Sequence, residues 1–426
     1  MMLHNGYISN KLYKLKLWFQ NPENKIWLIP FYGILFTIFL LFFTLYIDMN
    51  IKIPLLFEIN KNTLDSLLSI LSSSMLAVAT FSIGVMVSAF SSVAGNITPR
   101  ATLVVMNDKT AQNAISSFLA AFLYAVISQI ALGQELYSKS GILIIFILTI
   151  LVLIYLVFIL IQWIGTLSKL GRLNDTVKKI EKLANNQLKE FWENPTSNLK
   201  TTSITEHRYQ VHSPAIGYIC KINLEGLNTY AKKHDIKIDI MAREGDFIVY
   251  GEVVCYVCSY VENKDEIFDY FIIEDSRNTD VSPDYNLTML SEIGQRALSP
   301  AVNDPGTAIY ILTIIARILN KNKNIEIIEQ EIKYKNISIV PYDKNKFIKQ
   351  IFNPIARDGK ENIDVLVHLQ KILFSLNNNK DKELANLAKE YARTSFENAQ
   401  DTLRTKEERQ KLLEIHQVLF KAKAHK

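Results

Sequence analysis

Four stretches of this chain, residues 27–47, 64–93, 111–132 and 142–164, are almost without charge. The first runs for 21 residues with no Asp, Glu, Lys, Arg or His. About 20 apolar residues in a helix cross a hydrocarbon core of about 30 Å. Four such runs within the first 167 residues therefore predict four transmembrane helices. The remainder reads as an ordinary polar chain rich in Lys, Glu and Asn.

A basic segment, "KLYKLKLWFQNPENK", precedes the first run. Lys11, Lys14, Lys16, Trp18 and Phe19 suit a headgroup layer, so residues 1–26 are expected at the membrane interface. A cleaved signal peptide is the competing reading. The run is too long for one, and no small-residue cleavage site follows. Lys and Arg number eleven in the N-terminal flank, the 94–110 loop and residues 167–182, against three in the other two loops. That asymmetry predicts both termini in the cytoplasm.

The second run differs in character from the fourth, which is nearly pure aliphatic and aromatic. Thr80, Gly84, Ser88 and Ser92 recur every four residues and form one helical stripe; Ser69, Ser73 and Ala77 form another. Small residues at this spacing let membrane helices approach closely. Two readings stand: tight packing, or a hydroxyl-lined water or ion path at an oligomer axis. No ionisable residue lies inside 66–96, which weighs against an ion-coupled pump or transporter. In the following loop, "NITPRATLVVMNDKTAQNA", Thr98 before Pro99 reads as a helix cap with proline at the first helical position. Arg100 and Asp108 are loop candidates, either structural or concerned with gating or lipid sensing.

Past residue 166 the apolar positions Leu167, Leu170, Leu173, Val177, Ile180 and Leu183 predict one amphipathic helix continuing out of the membrane, and residues 167–200 are expected to be a connecting helix and linker. Residues 201–275 predict a small β-rich module with strands at 219–222, 236–241 and 247–257 and a helix at 224–233. Cys255 and Cys258 form a lone CxxC whose side chains point to opposite faces of a strand, a poor metal or redox pair. With Cys220 they make three cysteines, too sparse for a disulfide framework. His207 and His212 lack partners at ligand-like spacing.

Residues 276–426 read as a helical cytoplasmic domain holding "RALSPAVNDPGTAIYILTIIA". Asp284 is expected to cap a helix ending near Leu298; Ser299-Pro300 starts one short turn, and Asp304-Pro305 starts a longer helix. Asn303 and Gly306 are not explained by capping, leaving a hinge or a ligand contact. Segments 361–378, 380–400 and 406–420 show helical apolar spacing.

Three elements, "ITPRATLVVMNDKTAQNAISSFLAAFLYAV", "SPAIGYICKINLEGL" with "REGDFIVYGE", and "RALSPAVNDPGTA", together resemble a bacterial family of predicted membrane proteins, domain of unknown function 2254. The resemblance runs from about Ile26 to Phe420. It implies a multi-span bundle with a large cytoplasmic domain in a bacterial inner membrane, and no activity. Members often carry an Arg and then an Asp ahead of the ALSP element. Arg277 and Asp280 stand in those places and, with Asn303, Asp304 and Gly306, make a candidate ligand-binding group.

The fold class expected is therefore an α-helical membrane bundle of four transmembrane helices followed by an α+β cytoplasmic domain with a small β-rich module and C-terminal helices. A formal charge of +5 excludes the strongly basic balance of a nucleic-acid binder. No nucleophile elbow, phosphate loop, HExxH helix or Cys–His cluster occurs, so neither an enzyme nor a cofactor is expected. The expected partners are membrane lipids and further copies of the chain. A homo-oligomeric channel-like or membrane-gating protein leads; a membrane-anchored scaffold or signalling receptor is the alternative.

Overall fold

The computed structural model describes residues 22–50, 58–193, 200–201, 209–261, 265–277, 282–321 and 334–420. Most of the basic N-terminal segment, His207 and Asp280 lie outside them. The chain divides into two compact units, the first ending at Thr176 and the second beginning at Val177.

The first unit contains the four apolar helices: α1 (Pro22–Asn50), α2 (Lys61–Asn96), α4 (Lys109–Gly133) and α5 (Lys139–Leu167), with a short α3 (Pro99–Met106) between α2 and α4. All four are long and apolar enough to cross a membrane. Leu64, Leu68, Leu71, Ala79 and Met86 of α2 share one core with Ala111, Ala114, Phe118, Ala121 and Ala125 of α4. The alanines on α4 keep the two backbones close. Gly33 does the same for α1: a Cβ there would lie 2.8 Å from the Ala120 Cβ. At one end, the Asp48 carboxylate accepts the Ser138 N–H at 2.7 Å and the Ser138 hydroxyl, at the N-terminus of α5. Gly141 makes room for it, since a Cβ would meet Asp48 Oδ2 at 2.8 Å.

The predicted continuous helix past residue 166 is not formed. α5 stops at Leu167, residues 168–171 turn, and α6 (Leu173–Glu193) starts afresh. The cause is Gly171, whose φ of +80° ends a right-handed helix and where an added Cβ would stand 3.6 Å from Ala89. In α6 the buried line is Val177, Ile180, Ala184 and Leu188, while Leu183 is exposed.

The second unit combines two sheets with helices. A five-stranded sheet has the order β1 (Lys200–Thr201), β8 (Ile337–Ile339), β4 (Ile238–Ile240), β6 (Val253–Val257), β2 (Tyr209–His212); a three-stranded one has β5 (Phe247–Ile248), β3 (Gly217–Ile222), β7 (Phe271–Glu274). β8 runs parallel to β1 and β4, and the other pairings are antiparallel. Ile219, Ile248 and Phe271 from the small sheet and Ile238, Ile240, Val257 and Ile337 from the large one fill a single core, with Leu227 of α7 (Leu224–Lys233) and Ile267 of α8 (Asp265–Phe268). Two details depart from the sequence expectation. Residues 247–257 are not one strand or hairpin: β5 and β6 belong to different sheets. The sheet also takes β8 from within residues 276–426, so the β-rich part is not continuous in sequence.

The remaining helices are α9 (Tyr285–Ala297), α10 (Pro305–Lys321), α11 (Lys344–Asp358), α12 (Ile363–Leu376), α13 (Lys382–Thr402) and α14 (Lys406–Phe420). Side-chain caps start most of them: Asp343 for α11, Asn362 for α12 and Asp381 for α13. Thr405 and Glu408 form a reciprocal capping box for α14. Gly294 lets α9 cross α11, because a Cβ would lie 2.6 Å from Ile355 Cδ1. α11 was not foreseen; Pro354 in its interior interrupts the usual helix pattern.

Candidate functional site

Four places hold the described residues singled out from sequence. The first is the outer face of α2. Leu64, Leu68, Leu71, Ala79, Ser82, Met86, Ala89 and Val93 are buried against the rest of the bundle. At 100° per residue, the opposite line is Ser73, Ala77, Thr80, Gly84, Ser88 and Ser91, and every one of these is exposed. Ser92 is exposed beside it. Nothing lies within 4 Å of a Cβ built at Gly84. The hydroxyls of Ser73 and Thr80 donate to carbonyls one turn back, at 2.9 and 2.8 Å. The other apolar helices present a different outside. α1 shows Phe36, Phe39, Phe42 and Tyr46, and α5 shows Ile154, Phe158, Ile161 and Ile164, all more than half exposed. Those faces are bulky and apolar or aromatic. The α2 face is small and hydroxyl-rich, with large residues such as Ile70, Phe81 and Val87 at or beside it.

The second place is the 97–112 segment. Thr98 caps α3 through a bond from the Ala101 N–H at 3.2 Å, with Pro99 at the first helical position. Asp108 Oδ1 accepts from the N–H groups of Thr110 and Ala111, both at 3.0 Å, and starts α4. Gln112 closes the joint by donating to the Met106 carbonyl at 2.8 Å. Thr98 and Asp108 thus have helix-capping positions, and Arg100 is exposed on α3.

The third place surrounds Arg277. Its Nη2 donates to Asp284 Oδ1 at 2.8 Å, with the two side chains only 19% and 6% exposed. The Ser282 hydroxyl donates to the same oxygen, and the guanidinium lies 5.5 Å over the Tyr285 ring. The expectation that Asp284 caps α9 with its side chain is overturned: the carboxylate is committed to Arg277 and Ser282 and makes no cap bond. The turn before β5 packs onto this pair. Gly245, at φ +95°, has no room for a side chain, since a Cβ would lie 2.5 Å from Ser282 Cβ and 2.9 Å from Arg277 Nη2. Arg243 fixes the turn by donating its N–H to Asp246 Oδ2 at 2.8 Å and its Nε to the Val340 carbonyl at 2.7 Å. Its guanidinium lies 5.9 Å over Tyr342. Burial, and then the nearby Asp284, push the Tyr342 phenol well above its ordinary value. Charges alternate in sign and are closely matched, which makes this cluster a clamp tying the 243–246 turn, the start of α9 and the segment after β8 together.

Asn303, Asp304 and Gly306 lie elsewhere. α9 spans 13 residues, about 20 Å at 1.5 Å per residue, with Asp284 before its start. Asp304 is at the other end, where its N–H donates to the Ala297 carbonyl at 2.7 Å. Arg277 and the Asn303–Gly306 group are therefore not one pocket. Asp304 Oδ1 accepts the Thr307 N–H at 3.0 Å and Oδ2 accepts the Thr307 hydroxyl at 2.6 Å. Those bonds hold its carboxyl below the usual range. Asn303 has φ +48°, a left-handed conformation that Asn tolerates better than most side chains. At Gly306 a Cβ would stand 3.3 Å from Asp304 Oδ1, so glycine leaves the capping carboxylate undisturbed. Both residues that capping left open have conformational roles. Sequence reasoning missed Arg243 and Tyr342, because nothing in spacing links segments that lie this far apart in the chain, and it missed Ser282 although that residue is only two positions from Asp284.

Among the three cysteines, Cys220 and Cys255 are buried and Cys258 is exposed. Burial, then Asp239, push the Cys255 thiol up to about 12, so it stays protonated at neutral pH.

Four membrane-length helices followed by an α+β unit define a multi-pass membrane protein. The family described as Predicted membrane protein (DUF2254) matches residues 23–375, and the chain belongs to it. The match stops short of α13 and α14, so it covers less of the chain than the resemblance read from sequence. No curated protein and no solved structure matches the chain.

Proposed function

We propose that this protein is a homo-oligomeric, channel-like or membrane-gating protein of the bacterial inner membrane, with both termini and the whole second unit in the cytoplasm. The observation that carries this reading is the outer face of α2. Hydroxyls and glycine along Thr80, Gly84, Ser88 and Ser92 gain little from lipid tails, whereas the outer faces of α1 and α5 suit them well. Against further copies of itself, the same face packs closely or borders water. The line carries no ionisable side chain, so such a path would be lined by hydroxyls and backbone rather than by charge. The positive-inside asymmetry supports the orientation.

Reconstitution in liposomes or planar bilayers tests the pore. Ion flux that the Gly84→Leu substitution abolishes is expected. Absence of flux under voltage, tension and added ligand alike would sink the pore and leave the scaffold or receptor reading ahead.

A further inference from the structure

The second unit carries a groove of 580 Å³ between α11 and α13. The two helices run parallel: Tyr391 donates to Asn353 Oδ1 at 2.6 Å near the middle, and Thr402 donates to the Lys360 carbonyl at 2.9 Å at the end. At the start, Lys344 is held by Asp381 and Glu383, both at 2.8 Å. At the finish, Arg404 pairs with Glu361. Ion pairs thus occupy the carboxylates at both ends. Along the groove itself stand Lys349 on α11 and Lys360 just past it, with Arg357 paired to Asp358 at 2.8 Å, against a single lining carboxylate, Glu390, on α13. Lys349 has no ion-pair partner among the described residues. The Asn353 oxygen is used by Tyr391, which leaves its N–H₂ as a donor.

We propose that this groove is a binding site for a small polyanion, either phosphate-bearing or a polycarboxylate. Its volume is within the range of sites for drug-sized ligands. Its wall offers charged and amide donors with one opposing acceptor charge. Partial burial would raise the Asp358 carboxyl, but bonds from Arg357 and Gln295 hold it below its usual range, which commits Arg357 to that pair. Lys and Arg near a helix C-terminus also complement the helix dipole. That accounts for Arg357 and Lys360 but not for Lys349, two turns earlier. This site is independent of the α2 face and of any pore.

The test is calorimetric titration of the full-length protein in lipid nanodiscs with two probes, inorganic pyrophosphate and citrate. Saturable binding of at least one is expected, and comparison of the two separates phosphate from carboxylate sources. Lys349→Gln with Lys360→Gln, two exposed positions, is expected to weaken it by about tenfold or more. Glu390→Gln removes the opposing charge and is expected to tighten it severalfold. Failure of both probes to bind, or binding that neither variant alters, overturns the proposal.

Discussion

At the scale of single residues, the 303–307 stretch combines a left-handed asparagine with a side-chain helix cap. Asn303→Gly is expected to leave the melting temperature nearly unchanged, whereas Asn303→Ala costs about 1 kcal/mol, because alanine at φ +48° lacks the local tolerance of asparagine. Asp304→Ala is expected to cost about 1 kcal/mol through loss of the cap. Because bonding from Thr307 depresses the folded-state pKa, the ionised cap is stabilising above the ordinary aspartate pKa of about 3.9. That contribution fades as pH falls through the folded value. A thermal melt series from pH 7 to pH 3 on wild type and Asp304→Ala checks it: the gap between them should narrow toward acid. Arg277→Gln is a different case. It strands the largely buried Asp284 carboxylate, with an expected loss of about 3 kcal/mol or more in chemical denaturation followed by circular dichroism.

At the scale of elements, hydrophobic length and cap chemistry were readable directly. The four apolar helices, the Thr98-Pro99 start of α3 and the last three helices all follow from runs and periodicity within a single segment. What could not be read depends on contacts between segments. β8 joins β1 and β4 from more than 90 residues away, and Gly171 ends a helix whose apolar spacing carries on through it. The candidate site divided along the same line: the Asp304 cap is local and legible, while the cluster around Arg277 and Asp284 also draws on the 243–246 turn and Tyr342 from distant segments. Gly33 is an element-level contact open to test. Gly33→Leu would drive a side chain into Ala120 of α4, with an expected cost of about 1–3 kcal/mol and reduced yield of folded protein on detergent size-exclusion chromatography.

At the scale of the whole molecule, the same size of change at Gly84 is expected to behave in the opposite way. Its Cβ direction is open, so Gly84→Leu should leave each chain folded while lowering the mass of the assembly. Comparison of the two variants by native mass spectrometry separates a fold defect from an assembly defect. The central claim, that the α2 face borders other copies or water and not lipid, is tested most directly by thiol labelling in native membranes. Cysteine is placed at Ser88 on α2 or, as the lipid-facing control, at Ile154 on α5, 63% exposed, in a chain whose exposed Cys258 is replaced by alanine. Ser88→Cys is expected to react with a membrane-impermeant methanethiosulfonate or to cross-link to its own copy on oxidation, while Ile154→Cys does neither. A Ser88→Cys thiol as inert and as monomeric as Ile154→Cys would contradict the account.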